Sequence, residues 1–494
     1  MNIKEAKDYI KDTVSAYLKK DEFGDYRIPA YKQRPIFLLG APGIGKTAIM
    51  SQVASELGIA LVSYSMTHHT RQSALGLPFI KEKTYGDSTY SVSEYTMSEI
   101  IASVYDTMEE SGVREGILFL DEINCVSETL YPSMLQFLQY KVFGKHSVPD
   151  GWVIVTAGNP PEYNKAVREF DVVTLDRLKV ITVEADYGAW KSYAAEVGVH
   201  GAITGFLESN RDMFYKVETT VYGKNYVTAR GWEDLSEMIR LYEEDDKAVT
   251  DSLVSQYITD EKTAKDFSAY YDLYNKYRKQ YDVEAVFTGK LSDKVIAAAA
   301  SAPVDERLAL TGLLADTIKS EMKTVLATHR MLRQIRQGVS SVSEAASDEA
   351  MTRLQALIDA NDNVLRQRTR AGSLSPAEKK RFNQIAKFYT DAKTKMENGG
   401  SIKDFYNDKV TSLRTQAQTV LERMDNLFEG IEGMFGSEGN EMLVLVTELT
   451  LDPDTSEFLS VYPSGAYEKY NGVLKVGDRA ENLRKEIEAL EGLS

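Results

Sequence analysis

Five short apolar runs recur along the first 185 residues: PIFLLG (35–40), ALVSYS (60–65), GILFLDE (116–122), WVIVTAG (152–158) and LKVITVE (178–184). Segments of helical periodicity separate them. Short, nearly unbroken apolar runs alternating with helices predict an α/β domain whose parallel strands are covered on both faces. Between the second and third runs, LPFIKEKTYGDSTYSVSEYTM alternates β-formers around YGDS, which predicts a hairpin inserted into the sheet's connections. The opening MNIKEAKDYIKDTVSAYLKK reads as an amphipathic helix with both charge signs and no apolar signal-peptide core.

From about residue 186 the strand signal stops, and a smaller helical domain is expected to end near 285. The remainder, 286–494, reads as helical throughout. Ser375, Pro376 and Glu378 mark one helix start, and Gly399, Gly400 and Ser401 end one helix and cap the next. Tyr406, Val410, Leu413, Ala417, Val420, Met424 and Leu427 repeat at four-three spacing, a coiled-coil seam. A similar stripe runs through Met351, Leu354, Ile358, Asn361 and Leu365. Long antiparallel helices satisfy both stripes, whether the seams pair within the chain or between chains. Three segments follow: an α/β core at 1–185, a helical lid at 186–285 and a helical region at 286–494, whose removal is expected to leave any binding by the core intact.

Composition narrows the class. The formal charge of −16 opposes broad binding to a phosphate backbone, so nucleic acid is not the expected partner. No apolar run reaches the ~20 residues of a membrane span. The single cysteine, Cys125, excludes an internal disulfide framework and fits a reducing, cytoplasmic setting.

The chemistry begins where the first strand meets its helix. GAPGIGKT (40–47) fits G-x-x-x-x-G-K-[ST]. Glycines at 40, 43 and 45 allow successive N–H groups to face phosphate oxygens, and a helix N-terminus adds partial positive charge. Gly40, Ala41, Pro42, Gly43, Ile44, Gly45, Lys46, Thr47 and Ala48 are therefore the candidate nucleotide-binding residues. Lys46 is expected to reach the β- and γ-phosphates of ATP, and Thr47 to offer its hydroxyl to Mg²⁺.

Asp121 ends the third strand, where it joins Thr47 as a candidate Mg²⁺ ligand through the ion's water shell. Glu122 beside it is the candidate base for the attacking water. Taken alone the pair could be a solvated strand end or helix cap, but its place on a separate apolar strand after the glycine-rich bend disfavours that. Asn159 lies just past the fourth strand, beside the γ-phosphate if that strand neighbours the first; Asn-Pro is also a simple turn starter. Arg177 precedes the fifth strand, placed to reach a neighbouring subunit's nucleotide in a ring unless it pairs locally with Asp176; Arg168 is the second candidate. Arg230, opening a helix after the core, is a candidate to sense the γ-phosphate.

With GAPGIGKT, LFLDEIN, TAGNP and LDRL in this order, residues 30–285 resemble the AAA+ ATPases, specifically the MoxR-like branch. Its LDRF-type arginine finger corresponds to Arg177, its Walker B DEIN to Asp121–Asn124, and its sensor asparagine to Asn159. The second-domain sensor arginine corresponds to Arg230, although TARG departs from the commoner form. The resemblance implies sheet order 5-1-4-3-2, a helix-2 insert at the hairpin near 78–95, hexameric rings and ATP hydrolysis between subunits. It also implies chaperone-like remodelling or maturation of a protein client, often one with a von Willebrand factor A domain. Two alternatives keep the nucleotide: a nucleic-acid-remodelling ATPase of restriction type, and an assembly switch with little turnover.

Other polar clusters carry less. His68 and His69 lack companions for a metal site, Cys125 suits a small buried side chain, 452–457 lacks the glycine and length of a calcium loop, and YEEDDK (242–247) suits a solvated helix end.

Overall fold

The computed structural model describes residues 1–68, 74, 76–164, 167–220 and 223–472; His69 lies outside them. The chain divides into two compact units, the first comprising Met1–Trp190, Thr228–Arg230 and Gln355–Phe388 and the second the remainder.

In the first unit, strands β1 (Ile36–Gly40), β2 (Ala60–Ser65), β5 (Gly116–Asp121), β8 (Trp152–Gly158) and β9 (Lys179–Val183) form a parallel sheet. Their spatial order is β2-β5-β8-β1-β9, which in core-strand numbering is the expected 5-1-4-3-2. One set of side chains, including Phe37, Leu118, Leu120 and Ile154, joins a core with Ile100, Ile101 and Val104 of helix Glu99–Ser111 and Phe137 of helix Tyr131–Tyr140. The alternate positions Ile36, Leu38, Ile117, Phe119, Val153 and Val155 are equally buried. Both faces of the three central strands β1, β5 and β8 are covered, which is why these strands carry no polar alternation.

Helix α1 (Ile3–Tyr17) is capped by Asn2 and Glu5 and buries Ala6, Ile10, Val14 and Tyr17. Its Lys7 and Lys11 pair with Glu56 at the end of α2 (Lys46–Leu57). Between β2 and β5, strands β3 (Pro78–Tyr85) and β4 (Ser88–Tyr95) form the expected hairpin around Gly86 and Asp87. A small ribbon, β6 (Val142–Phe143) with β7 (His146–Ser147), was not anticipated.

In the second unit, helix Gly201–Ser209 packs against helices Glu261–Gln280 and Val304–Ser343. The expectation that strands end at 186 needs correction: β10 (Lys216–Thr220) and β11 (Gly223–Val227) form an antiparallel ribbon. Val217, Thr219 and Tyr226 carry the β-branched and aromatic signal for it. The 406–427 seam packs within the chain. Leu413, Ala417, Val420, Met424 and Leu427 are buried in helix Ile402–Phe435, which lies along Val304–Ser343. Tyr406 Oη donates to Leu332 O (3.1 Å), and Arg423 Nε to Glu321 Oε2 (2.9 Å), so the two helices run antiparallel. Among the described residues, no helix is long and apolar enough to cross a membrane.

Candidate nucleotide site

The site lies at the carboxyl ends of β1, β5 and β8. Gly45 caps α2 with φ +96°, a conformation that an L side chain rarely adopts, and Gly43 has φ +72°. Lys46, the first residue of α2, is buried. Its Nζ donates to Gly40 O and Ala41 O (2.7 Å each) and to Asn159 Oδ1 (2.9 Å). Burial, aided by Arg230, outweighs the neighbouring Asp121 and Glu122 and pushes the Lys46 ammonium down to about 8. Asn159 reaches Lys46 because β8 pairs with β1, with Gly158 opposite Leu39.

Thr47 Oγ1 donates to Asp121 Oδ2 (2.8 Å), joining two hard oxygen donors at the helix start. A hydroxyl and a carboxylate converging beside an amide-lined bend fit a magnesium nucleotide. Ala48 follows, exposed.

Glu122 adopts a left-handed backbone (φ 56°) and receives hydrogen bonds at Oε2 from Ser65 Oγ (3.0 Å) and Thr67 Oγ1 (3.1 Å). Ser65 and Thr67 carry no motif of their own. Their signal is positional, since β2 pairs with β5 and Ser65 stands opposite Asp121. Asn124, deeply buried, donates from Nδ2 to Asn159 O (2.8 Å), while its main-chain oxygen accepts from Arg168 N (2.9 Å).

The arginines separate from this cluster. Arg177 is exposed and donates from Nη1 to Gln139 Oε1 (2.7 Å); among the described residues it makes no ion pair, with Asp176 or any other. Val172 and Val173, just before it, are 81% and 60% exposed. Arg168 pairs with Glu128. Arg230 sits at the loop itself, its backbone N–H donating to Gly43 O (3.2 Å), and Thr228–Arg230 group with the core. No group of three or more His, Cys, Asp or Glu side chains is arranged to hold a metal among the described residues.

A parallel sheet in this order with a glycine-rich bend feeding a helix defines a P-loop nucleotide-binding core. Residues 36–175 match the family described as ATPase family associated with various cellular activities (AAA). That match spans the bend, both carboxylates, Asn159 and Arg168, stops two residues before Arg177, and supports a nucleotide-dependent ATPase. A comparison with curated proteins returned no match.

Proposed function

We propose that the chain hydrolyses ATP with Mg²⁺ as a ring-forming, MoxR-like AAA+ ATPase, and that turnover remodels or matures a protein client in the cytoplasm. The convergence of Lys46, Asn159, Thr47, Asp121 and Glu122 from three strand ends carries this reading. Such a set binds a triphosphate and places a carboxylate beside its terminal phosphate.

On this reading Lys46 exchanges its carbonyl partners for phosphate oxygens, and Asn159 stays beside it to orient the terminal phosphate. Thr47 and Asp121 would hold the magnesium, which would supply positive charge against that building on the phosphate oxygens. Glu122 leaves Ser65 and Thr67 to accept a proton from the attacking water. Arg177 acts on a neighbouring subunit's nucleotide. Its lack of an ion pair among the described residues and the exposed Val172 and Val173 beside it support a contact surface there. A hexamer, and a client with a von Willebrand factor A domain, follow from the MoxR resemblance.

The deciding experiment measures phosphate release from Mg²⁺-ATP by the full chain and by Glu122→Gln. Turnover by the first and ATP retention without turnover by the second are expected. No ATP affinity and no phosphate release from either would overturn the reading.

A further inference from the structure

Residues 355–388, far outside the matched segment, belong to the same compact unit as the nucleotide-binding core. They are the tip of a helical hairpin, where helix Ser347–Arg370 turns into helix Pro376–Glu397. Ala371 at the turn is fully buried in the apolar core that contains Ala60, Val62 and Ile101. Its carbonyl accepts a hydrogen bond from Leu61 N (2.6 Å). Since β2 is an edge strand, this bond satisfies an amide that no strand partner occupies. Gly372 has φ +64°, and a Cβ there would stand 2.8 Å from Leu61 O, so the turn fits this edge only with glycine.

Polar contacts extend from the turn to α2. Arg368 donates from Nη1 to Glu378 Oε1 (2.9 Å) and from Nη2 to Ser55 Oγ (3.1 Å) and Ser373 O (3.0 Å). Ser55 Oγ donates to Glu378 Oε2 (2.6 Å). Glu378 also takes the backbone N–H of Ser375 (3.1 Å) and its hydroxyl (2.9 Å), the capping contact. Capping alone accounts for the Ser375 bonds; it accounts for neither the Arg368 fork nor the bond from Ser55. Burial raises the Glu378 carboxyl, but Ser55, Ser375 and Arg368 together hold it at about 2. Ser55 lies on the helix that begins with Lys46 and Thr47. A rise of ~1.5 Å per residue puts it about 13 Å along one rigid rod from Lys46.

We propose that Arg368 and Glu378 are positioning residues for the nucleotide site, fixing the far end of α2 through Ser55, so that the C-terminal hairpin tunes the turnover of the core. This rests on the ATPase reading above. With the near end of α2 carrying Lys46 and Thr47, a change in its tilt moves both relative to Asp121 and Asn159. Displacements of about 1 Å suffice to cost on the order of 10²-fold in rate.

The experiment uses the full chain with Mg²⁺-ATP and compares wild type, Ser55→Ala, Arg368→Ala and Arg368→Lys. Turnover, KM for ATP, thermal melting and amide hydrogen exchange along 46–57 are read for each. Arg368→Ala is expected to lower kcat roughly tenfold with KM nearly unchanged, and to speed exchange in α2. Arg368→Lys should recover part of the loss, and Ser55→Ala should show a smaller fall in the same direction. Should Arg368→Ala fail to fold, Ser55→Ala decides, because it removes one hydroxyl and leaves the turn's apolar contacts in place. An active wild type with unchanged kcat and α2 exchange in Ser55→Ala and in any folded Arg368→Ala overturns the positioning role alone. A wild type that neither binds nor hydrolyses ATP overturns the ATPase reading instead.

Discussion

Lys46 Nζ and Asn159 Oδ1 lie 2.9 Å apart, although 113 residues separate them in the chain. The contact makes the two residues distinguishable by substitution. Lys46→Ala should abolish nucleotide binding, since it removes the only cation reaching the bend from within α2. Asn159→Ala should bind ATP with little change but hydrolyse it about 10²-fold more slowly, the scale of losing one oriented donor. Equilibrium binding of a fluorescent ATP analogue alongside phosphate release separates the two outcomes.

Protonation gives a second test. The Lys46 ammonium is held at about 8 against an ordinary 10.5. A lowered lysine means that the folded chain binds fewer protons than the unfolded one between those values. Stability therefore rises with pH across that window, and the cost of burying the charge is fully present below about 8. A bound triphosphate restores the charge. ATP binding at pH 9 should take up about one proton, and at pH 7 almost none. Calorimetry in buffers of different ionisation enthalpy checks this. Lys141, also buried and held at about 8, is bonded to Gln33 and the Trp152 carbonyl; it shares the stability window and should not contribute to the uptake.

Glu122 is held by Ser65 and Thr67, so its release should control basal rate. Ser65→Ala combined with Thr67→Val should raise unstimulated turnover by up to about tenfold, equivalent to ~1.4 kcal/mol of hydrogen bonding. Glu122→Gln should bind ATP and lose about 10²- to 10⁴-fold in turnover. Single-turnover assays distinguish a faster chemical step from faster product release.

Arg177→Ala should bind nucleotide normally and lose about 10³-fold in kcat. Mixing it with Glu122→Gln should restore activity, because a mixed interface joins an intact Glu122 to an intact Arg177. Absence of rescue in a titrated mixture would show that Arg177 acts within its own subunit or not at all.

Truncation after residue 285 removes Arg368, Ala371 and Glu378 together with the long helices. The sequence suggested that such a chain would still bind nucleotide. The uncovered edge of β2 and the emptied Ala371 position instead predict a lower melting temperature and aggregation. Glu378 adds an acid limb. Its carboxyl is held at about 2 against an ordinary 4.5, so its contribution is present above about 4.5 and fades as the pH falls toward 2. Glu378→Gln should flatten that limb in pH-dependent melting.

The sequence by itself determined the five core strands to within a residue at each end, the bend at 40–47 and the carboxylates that follow. These are local matters: apolar run length, glycine spacing and a helix start are written in neighbouring residues. It also carried the strand order, through the family resemblance rather than through any residue. Tertiary structure decided what touches what across long separations. Ser65 and Thr67 meet Glu122 because β2 lies beside β5, and Ser55 meets Arg368 and Glu378 because the hairpin turn completes the β2 edge. Hydroxyls and a lone arginine have no periodicity to betray such partners, since their value comes from a geometry that exists only once the sheet is assembled.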